Sequence, residues 1–349
     1  MVGSIHRDVA DGGERMVSDD GVARGKAIQR RTGKTFHLAT RLLPERVREA
    51  TYVLYAFFRV ADEVVDDAEG VPPAEQRAEL ERLRAAALGE ASTDDPVLAA
   101  FADLRERHDI PDADVNTFVD AMLTDVTKDR YETFEELRAY MDGSAAAVGR
   151  MMTAVMDPED PARARPHATA LGEAFQLSNF LRDVREDIVE RDRIYLPRET
   201  LDEHDLSEAD LRRFEVSDEF RRAMERELRR TEALYREGVA GIEYLPADCQ
   251  FSVLVAAVLY ADHHRLIRER DYDVLSETPS LGTLRKLLLV ARTRWHWQWN
   301  RDPETVFRRV SAVPDVPADP DPDHDRTHST RGVGRRLLRG ALEGLRRLT

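Results

Sequence analysis

An all-α domain is the fold that this 349-residue sequence predicts, and three features predict it. Between about residue 22 and residue 310, apolar side chains recur every three or four positions. Alternating runs of the kind a half-buried strand needs are scarce. Turn signals cut the stretch into helix-sized pieces at Leu43-Pro44, Pro72-Pro73, Asp95-Pro96, Ile110-Pro111, Asp157-Pro158, Leu196-Pro197, Leu245-Pro246 and Pro279. Roughly ten helices result, packed as one domain over residues 22–310. The 42% hydrophobic content suffices for a sizeable core.

Ahead of that stretch, residues 1–21 lack the apolar run of a secretory signal and read as a disordered segment. No run of about 18 apolar residues occurs, so no membrane-spanning helix is expected. Acidic residues number 67 against 52 basic, a net charge of −15, which argues against a nucleic-acid partner. The single cysteine, Cys249, excludes an intrachain disulfide and a cysteine zinc site. It is expected to be buried and inert, in a reducing cytoplasmic setting. Lysine occurs only at positions 26, 34, 128 and 286, the other basic residues being arginine. Acid-rich, lysine-poor composition suits a salt-loving source such as a halophilic archaeon, and a GC-rich genome is the alternative cause.

The first informative helix is YVLYAFFRVADEVVDD, residues 52–67. Most of it is apolar, yet Tyr55, Arg59, Asp62 and Asp66 fall at i, i+4, i+7 and i+11, on one helical face. Residues 172–188, GEAFQLSNFLRDVREDI, repeat the arrangement with Gln176, Asn179, Asp183 and Asp187, flanked by Arg182 and Arg185. A polar stripe on an otherwise apolar helix lines a cavity, pairs internally or binds something. Two carboxylates one turn apart can each reach Mg²⁺ ions that also bind phosphate oxygens. Nearby arginines can hold the remaining phosphate charge. Such a pocket suits ionisation of an allylic diphosphate, with apolar walls sheltering the carbocation. The spacing alone is cheap, since Asp125 and Asp129 share it. An internal salt-bridge network, Arg59 with Asp62 and Arg182 with Glu186, is the structural alternative.

Other segments complete the order. Thr133 and Glu136 form a capping-box start for a helix running toward Met156. His263 and His264 diverge by about 100° on a helix, so an exposed polar patch is expected rather than a metal site. Trp295, Trp297 and Trp299 read as packing residues, with a membrane-interface anchor as the alternative. The Pro/Asp alternation VPDVPADPDPDHDRTH marks a linker over residues 311–330. Residues 331–349 carry six arginines and one glutamate, with Leu338, Leu342 and Leu345 on one face. This basic amphipathic helix either lies on an anionic membrane, at the inner face of the cell membrane, or docks on the domain.

At these residues the chain resembles the squalene/phytoene synthase family. Residues 52–67 resemble its first aspartate-rich motif, and NFLRDVREDIVERDRIYLP, residues 179–197, its more specific second one. RTGKTFHLATRLLP, residues 31–44, resembles the N-terminal segment of the phytoene-forming branch. The resemblance implies an isoprenoid-synthase-type helical bundle with a central active-site cavity. It makes Asp62, Asp66, Asp183 and Asp187 ligands of Mg²⁺, with Mn²⁺ as a substitute. Arg59, Arg182, Gln176 and Asn179 would contact diphosphate or orient the metal ligands. Tyr55, Tyr140, Tyr195 and Tyr260 match recurrent family tyrosines, and a buried tyrosine with a satisfied hydroxyl is the alternative for each. Lys286 matches a late family lysine. The chain departs from the family at Tyr140-Met141-Asp142 and over residues 144–149, SAAAVG, which concerns the cavity wall.

The implied activity is head-to-head condensation of two prenyl diphosphates. The N-terminal likeness favours phytoene from two geranylgeranyl diphosphates, without NADPH, for carotenoid formation and handover to a phytoene desaturase. A squalene or dehydrosqualene synthase acting on farnesyl diphosphate is the alternative within the family. A noncatalytic helical scaffold is the alternative outside it.

Overall fold

The computed structural model of the chain describes residues 34–66 and 70–315. Residues 1–21 and 331–349, and most of the linker at 311–330, lie outside the described residues. Among the described residues there is no strand, and the chain is all-α as expected.

Five helices come first: α1 (Lys34–Thr40), α2 (Glu45–Asp66), α3 (Pro73–Ala87), α4 (Pro96–Arg107) and α5 (Asp112–Asp125). Next are α6 (Phe134–Met141), a π-helical turn (Asp142–Ala146) and α7 (Ala147–Met156). The long α8 (Pro161–Arg182) runs almost without interruption into α9 (Val184–Arg191). Two short helices, α10 (Arg198–Glu203) and α11 (Glu208–Leu211), lead to α12 (Asp218–Ala240) and a 3₁₀ turn (Gly241–Tyr244). The described chain closes with α13 (Ala247–Glu269), α14 (Thr283–Trp299) and α15 (Pro303–Val310).

All eight turn signals fall between helices or at their first residues. The larger number of helices has a physical source. Helices of four and six residues, such as α11 and α10, are too short to carry a period. Local chemistry sets the starts. Asp95 caps α4 by accepting from the Val97 amide at 2.7 Å, with Pro96 in the first helical position. Thr133 caps α6 by accepting from Glu136 N, but the box is half made. The Glu136 carboxylate turns to the Glu132 amide instead, at 2.6 Å, and pairs with Lys128.

The helix from Thr133 does continue to Met156, through the π-helical turn. Small residues let this run press on α8. A Cβ on Gly149 would sit 2.5 Å from the Ala168 carbonyl oxygen, and one on Gly172 would sit 2.7 Å from that of Ala145. Either would force backbone apart. α8 is the hub: it packs against α12, α7, the π turn, α13 and the 3₁₀ turn. One large core joins α2–α8 with α12–α15, and a smaller one gathers Leu181, Ile188, Leu201, Met224 and Ile267 around α9–α12.

Two expectations are corrected. His263 and His264 are both buried rather than exposed. α13 lies between α12 and α8 on one side and α14 on the other, so residues diverging by 100° are both covered. The tryptophans divide: Trp297 is core, while Trp295 and Trp299 are exposed. Cys249 is buried, and burial pushes its thiol up to about 12, so it is unreactive near neutral pH. Among the described residues no helix is long and apolar enough to cross a membrane.

Candidate active site

A cavity of about 750 Å³ runs along one face of α8. Ala164, His167, Ala168, Leu171, Gly172, Phe175, Gln176, Asn179 and Arg182 all line it, at helical spacing. Eighteen residues of helix span about 27 Å. The lining changes character along that length. At the C-terminal end of α8 stand Gln176, Asn179 and Arg182, facing Tyr55, Arg59 and Asp62 of α2 and Tyr260 of α13. At the other end the walls are Ala164, Met152, Met156, Ile242 and Leu245, with His167. Seven of the residues singled out in the sequence therefore line one cavity. The π turn supplies Ser144 and Ala145, so the segment that departs from the family pattern forms cavity wall.

The other aspartates gather beside the polar end. Asp183 sits at the junction of α8 and α9, where its backbone leaves helical geometry (φ −101°, ψ 15°) but the hydrogen bonds continue: Asp183 N donates to Asn179 O at 2.9 Å, and Asp187 N to Asp183 O at 2.8 Å. Arg182 grips Asp183 through two hydrogen bonds, Nε to Oδ1 at 2.6 Å and Nη2 to Oδ2. This replaces the anticipated pairing of Arg182 with Glu186. His263 donates from Nδ1 to Tyr260 O, 3.0 Å away, which leaves Nε2 as acceptor for Arg182 at 3.4 Å. Burial and the Arg182 charge hold His263 down at about 4, so it is neutral there. Arg59 pairs with Asp62 at 3.3 Å, as the salt-bridge reading anticipated. Arg191 lies 3.8 Å from Asp66 and 3.5 Å from Asp187, and Arg193 lies 3.5 Å from Asp66.

Tyr140 and Tyr195 stand behind this end rather than in the lining. Tyr195 stacks on Phe180 with ring centres 3.7 Å apart, and Tyr140 donates to Asp125 Oδ2 at 2.7 Å. Tyr260 stacks on Phe175 at 4.5 Å, and burial pushes its hydroxyl up to about 12. Lys286, on α14, is not among the residues that line the cavity.

Asp125, Arg191 and Arg193 were not identified from the sequence. In the sequence, Asp125 reads only as one half of a common spacing with Asp129. It lies at the end of α5, half-buried, with its charge felt by Asp62. The only local signal was its place at the end of an apolar run.

The electrostatics suit cations. Burial pushes Asp62 up to about 7, and the Asp66 and Asp125 charges add to this against Arg59. Burial, with the Asp183 charge, pushes Asp187 up to about 7. Burial raises Asp125 to about 6 against Arg193 and Tyr140. Asp125 Oδ1 and Arg59 Nε lack partners among the described residues, an acceptor and a donor open to a ligand. No three His, Cys, Asp or Glu side chains among the described residues converge as a closed metal cage. An oxygen-only donor set that supplies one or two carboxylates per ion, and leaves the rest to phosphate and water, fits Mg²⁺.

With this geometry in hand, the comparisons are specific. The family model for squalene/phytoene synthase matches residues 29–286. The 15-cis-phytoene synthase of Synechococcus elongatus is 32% identical over 273 residues, covering 75% of this chain and 88% of that protein. The phytoene synthase of Cereibacter sphaeroides is 37% identical over 270 residues, covering 74% and 75%. A crystal structure of a dehydrosqualene synthase superposes with a TM-score of 0.74 at 26% identity, covering 80% of this chain and 98% of that one. Squalene synthase from Alicyclobacillus acidocaldarius gives 0.65 at 26% identity, over 73% and 95%. The chain belongs to the squalene/phytoene synthase family.

Proposed function

We propose that the chain condenses two molecules of geranylgeranyl diphosphate head to head into phytoene, with Mg²⁺ and without NADPH. The observation that carries this reading is the polarity gradient of the cavity: a charged end at Asp62, Asn179 and Arg182, and a hydrocarbon-lined body reaching Ala164. A diphosphate and a long prenyl chain need those two environments in that order. The relatives at 32% and 37% identity carry phytoene synthase names, which favours the twenty-carbon substrate over farnesyl diphosphate.

Asp62, Asp66, Asp183 and Asp187 would hold Mg²⁺, with Mn²⁺ as a substitute, and Asp125 stands behind them. When bound, the ions neutralise the departing pyrophosphate. Arg59 and Arg182 donate to the diphosphate oxygens, and Gln176 and Asn179 orient them. One substrate loses diphosphate, and its allylic cation is attacked by the double bond of the second. Proton loss then closes a cyclopropane. The second diphosphate departs, the cation rearranges, and loss of a second proton gives the linear product. The ring faces of Phe175 and Tyr260 are placed to steady cationic charge, and the apolar walls exclude water. Tyr55 and Tyr260 present their hydroxyls at the reacting end, while Tyr140 and Tyr195 buttress it. Lys286, on α14 and outside the cavity lining, would reach substrate only through a movement of α14. Residues 331–349 would rest on an anionic membrane surface and ease handover of the product to a desaturase.

The deciding experiment incubates the protein with geranylgeranyl diphosphate and Mg²⁺ without NADPH and identifies the product by mass spectrometry. A forty-carbon hydrocarbon is the expected result, lost in Asp62→Ala and Asp183→Ala with the helical circular dichroism intact. No such product, or unfolding of both variants, overturns the reading.

A further inference from the structure

Seven large apolar side chains are notably exposed among the described residues, and five of them lie on α14. Leu284 is 72% exposed, Leu287 and Leu288 each 54%, Trp295 62% and Trp299 78%. With Ala291 they fall at i, i+3, i+4, i+7, i+11 and i+15, a single stripe along the helix. The opposite side, Leu289, Thr293 and Trp297, is buried. α14 packs there on α13 and α15. The outward stripe is thus a second apolar face that the described fold leaves uncovered, larger than scattered surface residues explain.

Its charge identifies the occupant. From Thr283 to Trp299 the helix carries Arg285, Lys286, Arg292 and Arg294 and no acidic residue, in a chain of net charge −15. Arg285 is tied to Asp262 at 2.7 Å and Arg292 to the Arg309 carbonyl at 2.6 Å, so both are fixed beside the stripe. A second copy docking here would oppose two acid-free cationic helices across a two-fold axis. The 331–349 segment, with six arginines and one glutamate, carries the same sign. An anionic lipid surface complements both properties. The leucines would enter the acyl boundary, the tryptophans would sit at headgroup level and the arginines would meet phosphates.

We propose that the exposed face of α14 is a docking surface for an anionic lipid bilayer. The inference stands on surface chemistry and is independent of the proposed reaction. Its consequence for function is one of placement. α13, on which α14 packs, contributes Ser252, Val253, Ala256 and Tyr260 to the cavity, so one helix separates the bilayer from the hydrocarbon-lined chamber.

All three tryptophans of the chain lie on α14, so intrinsic fluorescence reports this helix directly. The full chain is mixed with vesicles of phosphatidylcholine alone or with about one third phosphatidylglycerol, and sedimentation and emission are recorded. With the anionic vesicles the expected result is co-sedimentation, a blue shift and quenching by acyl-brominated lipid. Leu284→Gln/Leu287→Gln should weaken partitioning at least ten-fold, with unchanged circular dichroism. A full-length variant with Leu338, Leu342 and Leu345 changed to serine should keep the blue shift. Sedimentation without any emission change would assign binding to the terminal segment and overturn the proposal. In a Trp297→Phe chain, which removes the buried tryptophan's own blue emission, emission already blue without vesicles, or turning blue with protein concentration alone, would place the terminal segment or a second copy on the face and overturn it as well.

Discussion

Asp66, at the end of α2, and Asp187, in α9, share one guanidinium: Arg191 lies 3.8 Å from the first and 3.5 Å from the second. The two aspartate stripes, 121 positions apart in the chain by their last members, are thereby held together by a single protein cation. Arg193 adds a second positive group, 3.5 Å from Asp66. The arrangement places positive charge where the proposed reaction would bring divalent cations.

That equivalence can be tested by stability. Arg191 and Asp66 are partly exposed, so their bridge contributes little, about 0–1 kcal/mol, whereas Asp187 is buried. Arg191→Gln should lower Tm by about 1–3 °C in EDTA. Mg²⁺ with inorganic pyrophosphate should erase the difference, because the ions then neutralise Asp66 and Asp187. Thermal scans in the two buffers measure it, and an equal loss in both would show that neither carboxylate receives the metal.

Asp125 yields a second prediction. Its carboxyl is pushed up to about 6 chiefly by burial, accepts from the Tyr140 hydroxyl and leaves Oδ1 without a partner among the described residues. Asp125→Asn keeps the shape and an acceptor for Tyr140 but removes charge near Asp62. We expect the Mg²⁺ concentration for half-maximal turnover to rise about ten-fold, in line with loss of a supporting group around a metal site. A titration of activity against Mg²⁺ reads this directly. An unchanged midpoint would confine Asp125 to packing.

How much of this was legible in the sequence follows from the kind of contact involved. Tyr55, Arg59 and Asp62 were legible because one helix puts them on one face by its own period. Gln176, Asn179 and Arg182 likewise follow from the continuity of α8. The break in helical geometry at Asp183 was not legible, since no proline or glycine marks it. Asp125 depends on α5 ending beside α2 and Arg193, a meeting of segments that no local pattern encodes. The burial of His263 and His264 depends on α13 being covered from both sides, which a single helix cannot reveal. The cavity was expected, but its apolar end at Ala164 and Met156 required the packing of α7 on α8.

A third prediction concerns acid stability. His264 Nδ1 faces the Glu232 carboxylate at 3.3 Å, so Nδ1 carries the proton of the neutral ring, and Nε2 lies 3.0 Å from Ser178 Oγ. Burial holds His264 below its usual 6.5, against the pull of Glu232. Burial would raise Glu232, but the His264 hydrogen bond and the Arg268 charge hold it below 4.5. Both folded-state values are depressed. For each group, stability is present above the unfolded value and is lost as pH falls, from 6.5 downward for His264 and from 4.5 for Glu232. The His264 contribution to Tm should therefore decline between pH 6.5 and 4.5, against the raised carboxyls of Asp62, Asp125 and Asp187, which favour the folded state as pH falls, so the response is read as a difference between the parent and a variant. His264→Gln should start lower and decline less over that interval. Parallel curves for the two proteins would remove His264 from the acid response.

The fourth prediction concerns the length of the prenyl chain. Ala164 is buried and lines the apolar end of the cavity, eighteen residues along α8 from Arg182. A side chain added there projects into the space that the far end of a long substrate would fill. It leaves the charged end, about 27 Å away, untouched. Ala164→Phe should lower kcat/KM for the twenty-carbon diphosphate about 10–100-fold, the scale of a few methylenes' worth of lost or clashing contact. Turnover of the fifteen-carbon diphosphate should fall much less, which shifts the product toward a thirty-carbon hydrocarbon. Competition between the two substrates in one reaction, with product masses as readout, separates this from general damage. Damage would lower both products together, whereas a shortened cavity moves only their ratio.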